Sequence, residues 1–94
     1  MTLQLPKSIK QDKDAYELVR LWASNGKLVS VIDVGKFADM GVNEKDAWGK
    51  VMSDFMRHMA KGLSEKYQWD EDRTKTEILK AFLNEINKPS TKIS

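Results

Sequence analysis

Residues 44–67 carry the sequence pattern that most constrains how this chain can fold. Asn43 is a favoured N-cap residue, and the acidic Glu44 and Asp46 follow it in the first turn, where the helix dipole stabilises them. Apolar side chains then recur at helical spacing from Trp48 to Leu63 and form one contiguous face. The pattern predicts a long amphipathic helix ending near Tyr67, which other segments must cover.

A second amphipathic helix is predicted near the carboxyl end. Asp70 is its expected N-cap, and Glu71 and Asp72 are in its first turn. The helix must end before Pro89, because proline cannot donate the backbone hydrogen bond that continues a helix.

Residues 27–34, KLVSVIDV, predict a strand, because β-branched residues crowd together there without helical spacing. Gly35-Lys36 suits a two-residue hairpin turn, which would fold residues 37–40 back on this strand. Alternatively, residues 28–33 pair with the same strand of a second copy, with Val29 and Val31 in the interface. Because buried backbone groups need hydrogen-bond partners, at least one of these arrangements is required.

Residues 12–24 are predicted to form the first helix, ended by Gly26 in a left-handed conformation. Its apolar residues cover more than half of the circumference, so it needs cover from more than one side. We expect residues 1–11 to be an extended arm, residues 12–88 a single domain and residues 89–94 a flexible tail. The predicted class is α+β and mostly helical, in the order α-β-(β)-α-α, with three helices packed against a short strand or hairpin.

Composition narrows the classes of function. The 94 residues include no cysteine, which excludes a disulfide framework. A single histidine leaves too few ligands for a structural zinc site, and no cofactor is expected. The net charge is +2 with both signs interleaved, so nucleic acid is an unlikely partner. Without a signal peptide or a long apolar run, we expect no membrane partner and a cytoplasmic location. A domain this small often oligomerises to bury enough apolar surface.

Two polar side chains on the long helix could carry chemistry. Asp54 and His58 are four residues apart and therefore adjacent on one face, with Arg57 beside them. A carboxylate can orient an imidazole as a general base, but no nucleophile accompanies this pair, so we assign no catalytic residue. The other interpretation is a hydrogen bond on the helix surface, at the edge of the apolar face.

The same helix carries a stripe of small residues along another edge, which lets a second helix approach closely. The stripe consists of Gly49, Ser53, Ala60 and Ser64. It predicts either helix packing within the chain or a subunit interface. Met52, Met56 and Met59 share a neighbouring face, and we interpret them, together with Trp22 and Trp48, as core residues.

The run AWG, four residues, D, two residues, RH, one residue, A occupies positions 47–60. Together with AYELVRLWASNGKLVSV before it and KAFLNEINKPST after it, this run resembles a family of short bacterial proteins known only as a domain of unknown function. The resemblance covers roughly residues 12–91. It implies that Asp54, Arg57 and His58 belong to the family pattern as a group, and it brings no activity with it.

The leading hypothesis is a non-enzymatic protein-interaction domain, working as a homodimer or with another protein. The alternative is a small-ligand binder or an enzyme that uses Asp54, Arg57 and His58. The two hypotheses differ in whether the functional surface of the chain is an apolar contact or a polar site.

Overall fold

The computed structural model describes residues 3–90. Four helices and two strands follow one another along the chain. They are α1 (Lys7–Gln11), β1 (Val19–Ser24), β2 (Lys27–Ile32), α2 (Lys36–Asp39), α3 (Glu44–Tyr67) and α4 (Glu71–Asn87). The predicted α+β class is confirmed.

Strands β1 and β2 form an antiparallel hairpin, with Val19 opposite Ile32 and Ser24 opposite Lys27. The turn is Asn25-Gly26, and both residues have positive φ, at 52° and 73°. This geometry belongs to the tight turn whose twist matches paired strands, and Asn-Gly is its preferred sequence.

The hairpin corrects two predictions. Residues 12–24 do not form a helix, since residues 19–24 are strand β1. The apolar side chains that seemed to surround a helix instead lie on both faces of a ribbon. Gly35-Lys36 is not a hairpin turn either, because residues 36–39 form the one-turn helix α2.

The arm also differs from its expected conformation, because residues 7–11 form the short helix α1 and are not extended. Pro6 is the N-cap of this helix, with φ of −59° and an extended ψ of 149°. At the other end, Ser90 is hydrogen-bonded to the Glu85 carboxylate at 2.8 and 2.9 Å. Residues 91–94 of the predicted tail, like residues 1–2 of the arm, lie outside the described residues.

Helices α3 and α4 confirm their predicted starts and ends. Asn43 accepts a hydrogen bond from the Asp46 amide at 3.1 Å, and Asp70 accepts one from the Arg73 amide at 2.8 Å. Between the helices, Gln68 adopts a left-handed conformation with φ of 60°, which reverses the chain. The two helices therefore pack against each other as a helical hairpin.

The buried residues of this helical pair are small. Within residues 3–90, the buried positions are Ala47, Ala60, Ser64 and Thr74. No large side chain of the described residues is completely buried. The helices thus approach closely along small residues, while most of their large apolar side chains stay partly exposed.

Candidate interaction surface

Both faces of the β-hairpin are apolar and exposed. One face, which we call the front face, carries Trp22, Val29 and Val31, and the opposite back face carries Leu21 and Leu28 with Ile32. Val31 remains 56% exposed and Leu28 60% exposed. A sheet that is apolar on both sides needs cover on both sides.

The rest of the described chain does not provide this cover. Within residues 3–90, the hairpin packs on neither α3 nor α4. Its attachment is at the base, where the Lys36 ammonium lies 4.4 Å from the centre of the Tyr16 ring and the Tyr16 hydroxyl lies 3.9 Å from the Met40 sulfur. An isolated two-stranded hairpin is marginally stable in water, and this one gains little from packing within the described chain.

The helical pair has an uncovered apolar surface of its own. On α3 the exposed large side chains are Met52, Phe55, Met59, Leu63 and Tyr67. On α4 they are Leu79, Phe82, Leu83 and Ile86. The interpretation of Met52, Met59 and Trp22 as core residues is therefore wrong for the single chain, although Trp48 and Met56 are half-buried.

The predicted stripe of small residues divides into two parts. Ala60 is only 1% exposed and Ser64 is also buried, so these two serve the contact within the helical pair. Gly49 and Ser53 stay exposed and border a shallow depression of ≈ 460 Å³. The two exposed members remain predicted interface residues, together with Val29 and Val31.

The predicted polar site is an exposed ion pair with a histidine next to it. Asp54 accepts a hydrogen bond from Arg57 Nη2 at 2.6 Å, and both side chains are largely exposed. Within residues 3–90, no hydrogen bond joins Asp54 to His58. All three residues line an open depression of ≈ 380 Å³, also bordered by Lys61 and Glu71. The structure thus brings the predicted trio together on one face of α3, and pairs the aspartate with the arginine.

Glu44 has a larger structural role than its position in the first turn of α3 indicated. Its Oε1 accepts hydrogen bonds from the Gly35 amide at 3.0 Å and the Trp48 indole at 3.3 Å. Its Oε2 accepts one from the Ala38 amide at 3.0 Å. These bonds, the one from Gly35 first, lower the pKa of the Glu44 carboxyl, because they stabilise its charged form. The carboxylate therefore joins the start of α2 to the start of α3.

A cleft opens where α3 turns into α4. Leu63, Trp69, Ile78 and Ala81 contribute its apolar walls, and its volume is ≈ 620 Å³. The Trp69 ring stacks on Tyr67 with 4.9 Å between the ring centres. Sequence reasoning missed this cleft, since it depends on the left-handed turn between the helices.

A family model for a domain of unknown function, DUF5076, matches residues 2–90. The chain belongs to this family. The resemblance inferred from the sequence, to a domain of unknown function over roughly residues 12–91, is thereby confirmed, and the match also takes in the arm.

The DUF5076 chain is also similar to a solved structure, described as a "putative pyruvate dehydrogenase from the photosynthetic bacterium Rhodopseudomonas palustrus CGA009". The match has a TM-score of 0.71 and 21% identity, and it covers 100% of this chain and 91% of the other. At this identity the likeness shows a shared fold. No curated protein matches the sequence. Within residues 3–90, no helix is both long and apolar enough to cross a membrane.

Proposed function

We propose that this chain is a protein-interaction domain that works as a homodimer. One observation carries the proposal: the hairpin and the helical pair both present apolar surfaces, and within residues 3–90 they do not pack on each other. Stable domains bury the apolar face of a sheet against another layer. In the proposed dimer, the hairpin of one copy supplies that layer for the other.

The accessible surface area of the chain supports a second copy of the chain as its partner. Its accessible surface is 8632 Å², whereas a folded monomer of this mass exposes about 5,500 Å². The excess is roughly 3,000 Å² per chain, or about 6,000 Å² for two copies, and obligate homodimers bury about 2,000–5,000 Å² in total. An interface at the upper end of this range would cover about four-fifths of the excess.

The dimensions of the chain agree with this argument. Its radius of gyration is 15.4 Å, compared with about 12.4 Å for a compact domain of the same length. The net charge of +2 is small, so two copies repel each other only weakly. An open shape with little net charge favours association with an identical chain.

Sedimentation equilibrium across the micromolar range tests the proposal. The expected mass is twice that of the 10.8 kDa chain. Val31→Lys places a charge on the front face of the hairpin and should convert the dimer into monomer. Val31 is 56% exposed in the single chain, so the substitution removes about 1–1.5 kcal/mol of association free energy from each copy. Both copies contribute, so the dissociation constant should rise by about 30-fold or more.

Val34→Lys is the matched control, because Val34 is exposed but lies beyond the end of β2. This variant should remain dimeric. Circular dichroism should show intact helices in both variants, since the hairpin does not pack on α3 or α4 of its own chain. A wild-type chain that sediments as a monomer, or two variants with equal dissociation constants, would refute the proposal.

A further inference from the structure

The amino-terminal arm, residues 3–11, exposes apolar side chains along its whole length. Leu3 is 94% exposed, and Leu5 and Ile9 are exposed as well. The amides of Ile9 and Lys10 bond back to the carbonyl of Pro6, so α1 is held only locally. Within residues 3–90, α1 packs on no other helix or strand. The family match begins at residue 2, which makes the arm part of the family's domain.

The cleft between α3 and α4 is an apolar site of suitable size. Its volume of ≈ 620 Å³ and its walls of Leu63, Trp69, Ile78 and Ala81 suit branched aliphatic side chains. Concave apolar pockets of about 300–1,000 Å³ are typical binding sites. The stacking of Trp69 on Tyr67 fixes one wall before anything binds.

The charges of the arm and of the cleft are complementary. Residues 3–13 contain three lysines and one acidic residue. Residues 65–77, which surround the turn between α3 and α4, contain five acidic and three basic residues. Asp70, Arg73 and Glu77 line the cleft itself, and Arg73 Nε lies 3.4 Å from Glu77 Oε1, so the lining keeps one net negative charge. A basic apolar segment is therefore attracted to this cleft and oriented there.

We propose that the arm of each copy docks in the α3–α4 cleft of the other copy, with Leu3, Leu5 and Ile9 against the apolar walls and the lysines toward the acidic rim. This inference rests on the proposed homodimer. The docked arm forms a second contact between the two copies, in the cleft at the turn between α3 and α4 and separate from the contact made by the hairpin. The ligand of the cleft is thus a short basic peptide with aliphatic side chains.

Disulfide cross-linking tests the docking directly, because the chain contains no cysteine of its own. Leu5→Cys and Ala81→Cys chains are refolded together and oxidised, and the mixed disulfide is quantified by mass spectrometry. The control pairs Leu5→Cys with Lys50→Cys, which lies in the depression beside Gly49 and away from the cleft. We expect the Ala81 pairing to exceed the Lys50 pairing about tenfold, as an effective-concentration effect.

A charge reversal adds a second readout. Adding Lys10→Glu to the Leu5→Cys chain should reduce cross-linking to Ala81→Cys several-fold at low salt, and less at high salt, because salt screens the attraction. Circular dichroism and sedimentation of every variant confirm that the chains are folded and dimeric.

The outcomes separate the two proposals. Equal yields with Ala81→Cys and Lys50→Cys in a dimeric protein would overturn the docking and leave the homodimer intact. A Leu5→Cys/Ala81→Cys double variant that forms its disulfide within one chain would show that the arm docks in the cleft of its own chain and would overturn docking between copies. A protein that is monomeric throughout would refute the homodimer itself.

Discussion

Substitution of Ala60 by leucine should destabilise the helical pair without dissociating the proposed dimer. Ala60 is 1% exposed, so the three added carbon atoms have no free volume between α3 and α4. Overpacking of this kind costs about 2 kcal/mol. In a domain of this length, each kcal/mol lowers Tm by about 4–8 °C, which gives an expected decrease of about 8–16 °C.

Differential scanning calorimetry measures this change. The matched control is Ala38→Leu, the same substitution at an exposed helical position, and its Tm should differ little from that of the wild type. The decrease for Ala60→Leu should be similar at low and high protein concentration. An unchanged Tm would refute the close packing of α3 on α4. A decrease that vanishes at high concentration would place Ala60 in the subunit interface instead.

Two further predictions concern the turn and the Glu44 carboxylate. Gly26→Ala should lower the free energy of unfolding by about 1–2 kcal/mol, measured by denaturant unfolding, because Gly26 has φ of 73° and only backbone strain opposes a methyl group in the open space around it. The control Asn25→Gly introduces no such strain and should have little effect. Equal losses in the two variants would contradict the turn geometry. Because the folded-state pKa of Glu44 is lowered, its stabilisation is complete above the unfolded-state pKa of about 4.3 and is lost as the pH falls through the folded-state value. Glu44→Gln should therefore weaken the loss of stability in acid, measured as Tm against pH, and a profile identical to the wild type would show that the carboxylate contributes nothing.

The long helices could be predicted from the sequence because their signals are local. Asn43 and Asp70 each bond to an amide three residues ahead, so the N-caps define both starts. The hairpin had an equally local signal in Asn25-Gly26, between two runs rich in valine and leucine. The prediction that Gly26 ends a helix was wrong for β1. A segment with apolar residues all round a helix has the same sequence pattern as a strand that is apolar on both faces.

The candidate site was less predictable because it depends on tertiary contacts. A helical wheel identifies the apolar face of α3, but it does not say what covers Met52 or Met59. Nor does spacing decide whether Asp54 pairs with His58 four residues ahead or with Arg57 three residues ahead, because both are within reach on a helix. The role of Glu44 depends on α2, which folds back to present the amides of Gly35 and Ala38.

The position of the hairpin in the chain affects how the protein is made. Residues 19–32 leave the ribosome before α3 and α4 emerge, so the apolar hairpin is exposed while the chain is still being translated. Chains that emerge together from one messenger RNA can meet early, and a solitary chain stays vulnerable to proteases and aggregation. For the proposed homodimer, the concentration of chains sets the folded fraction by mass action, and expression level becomes a determinant of stability.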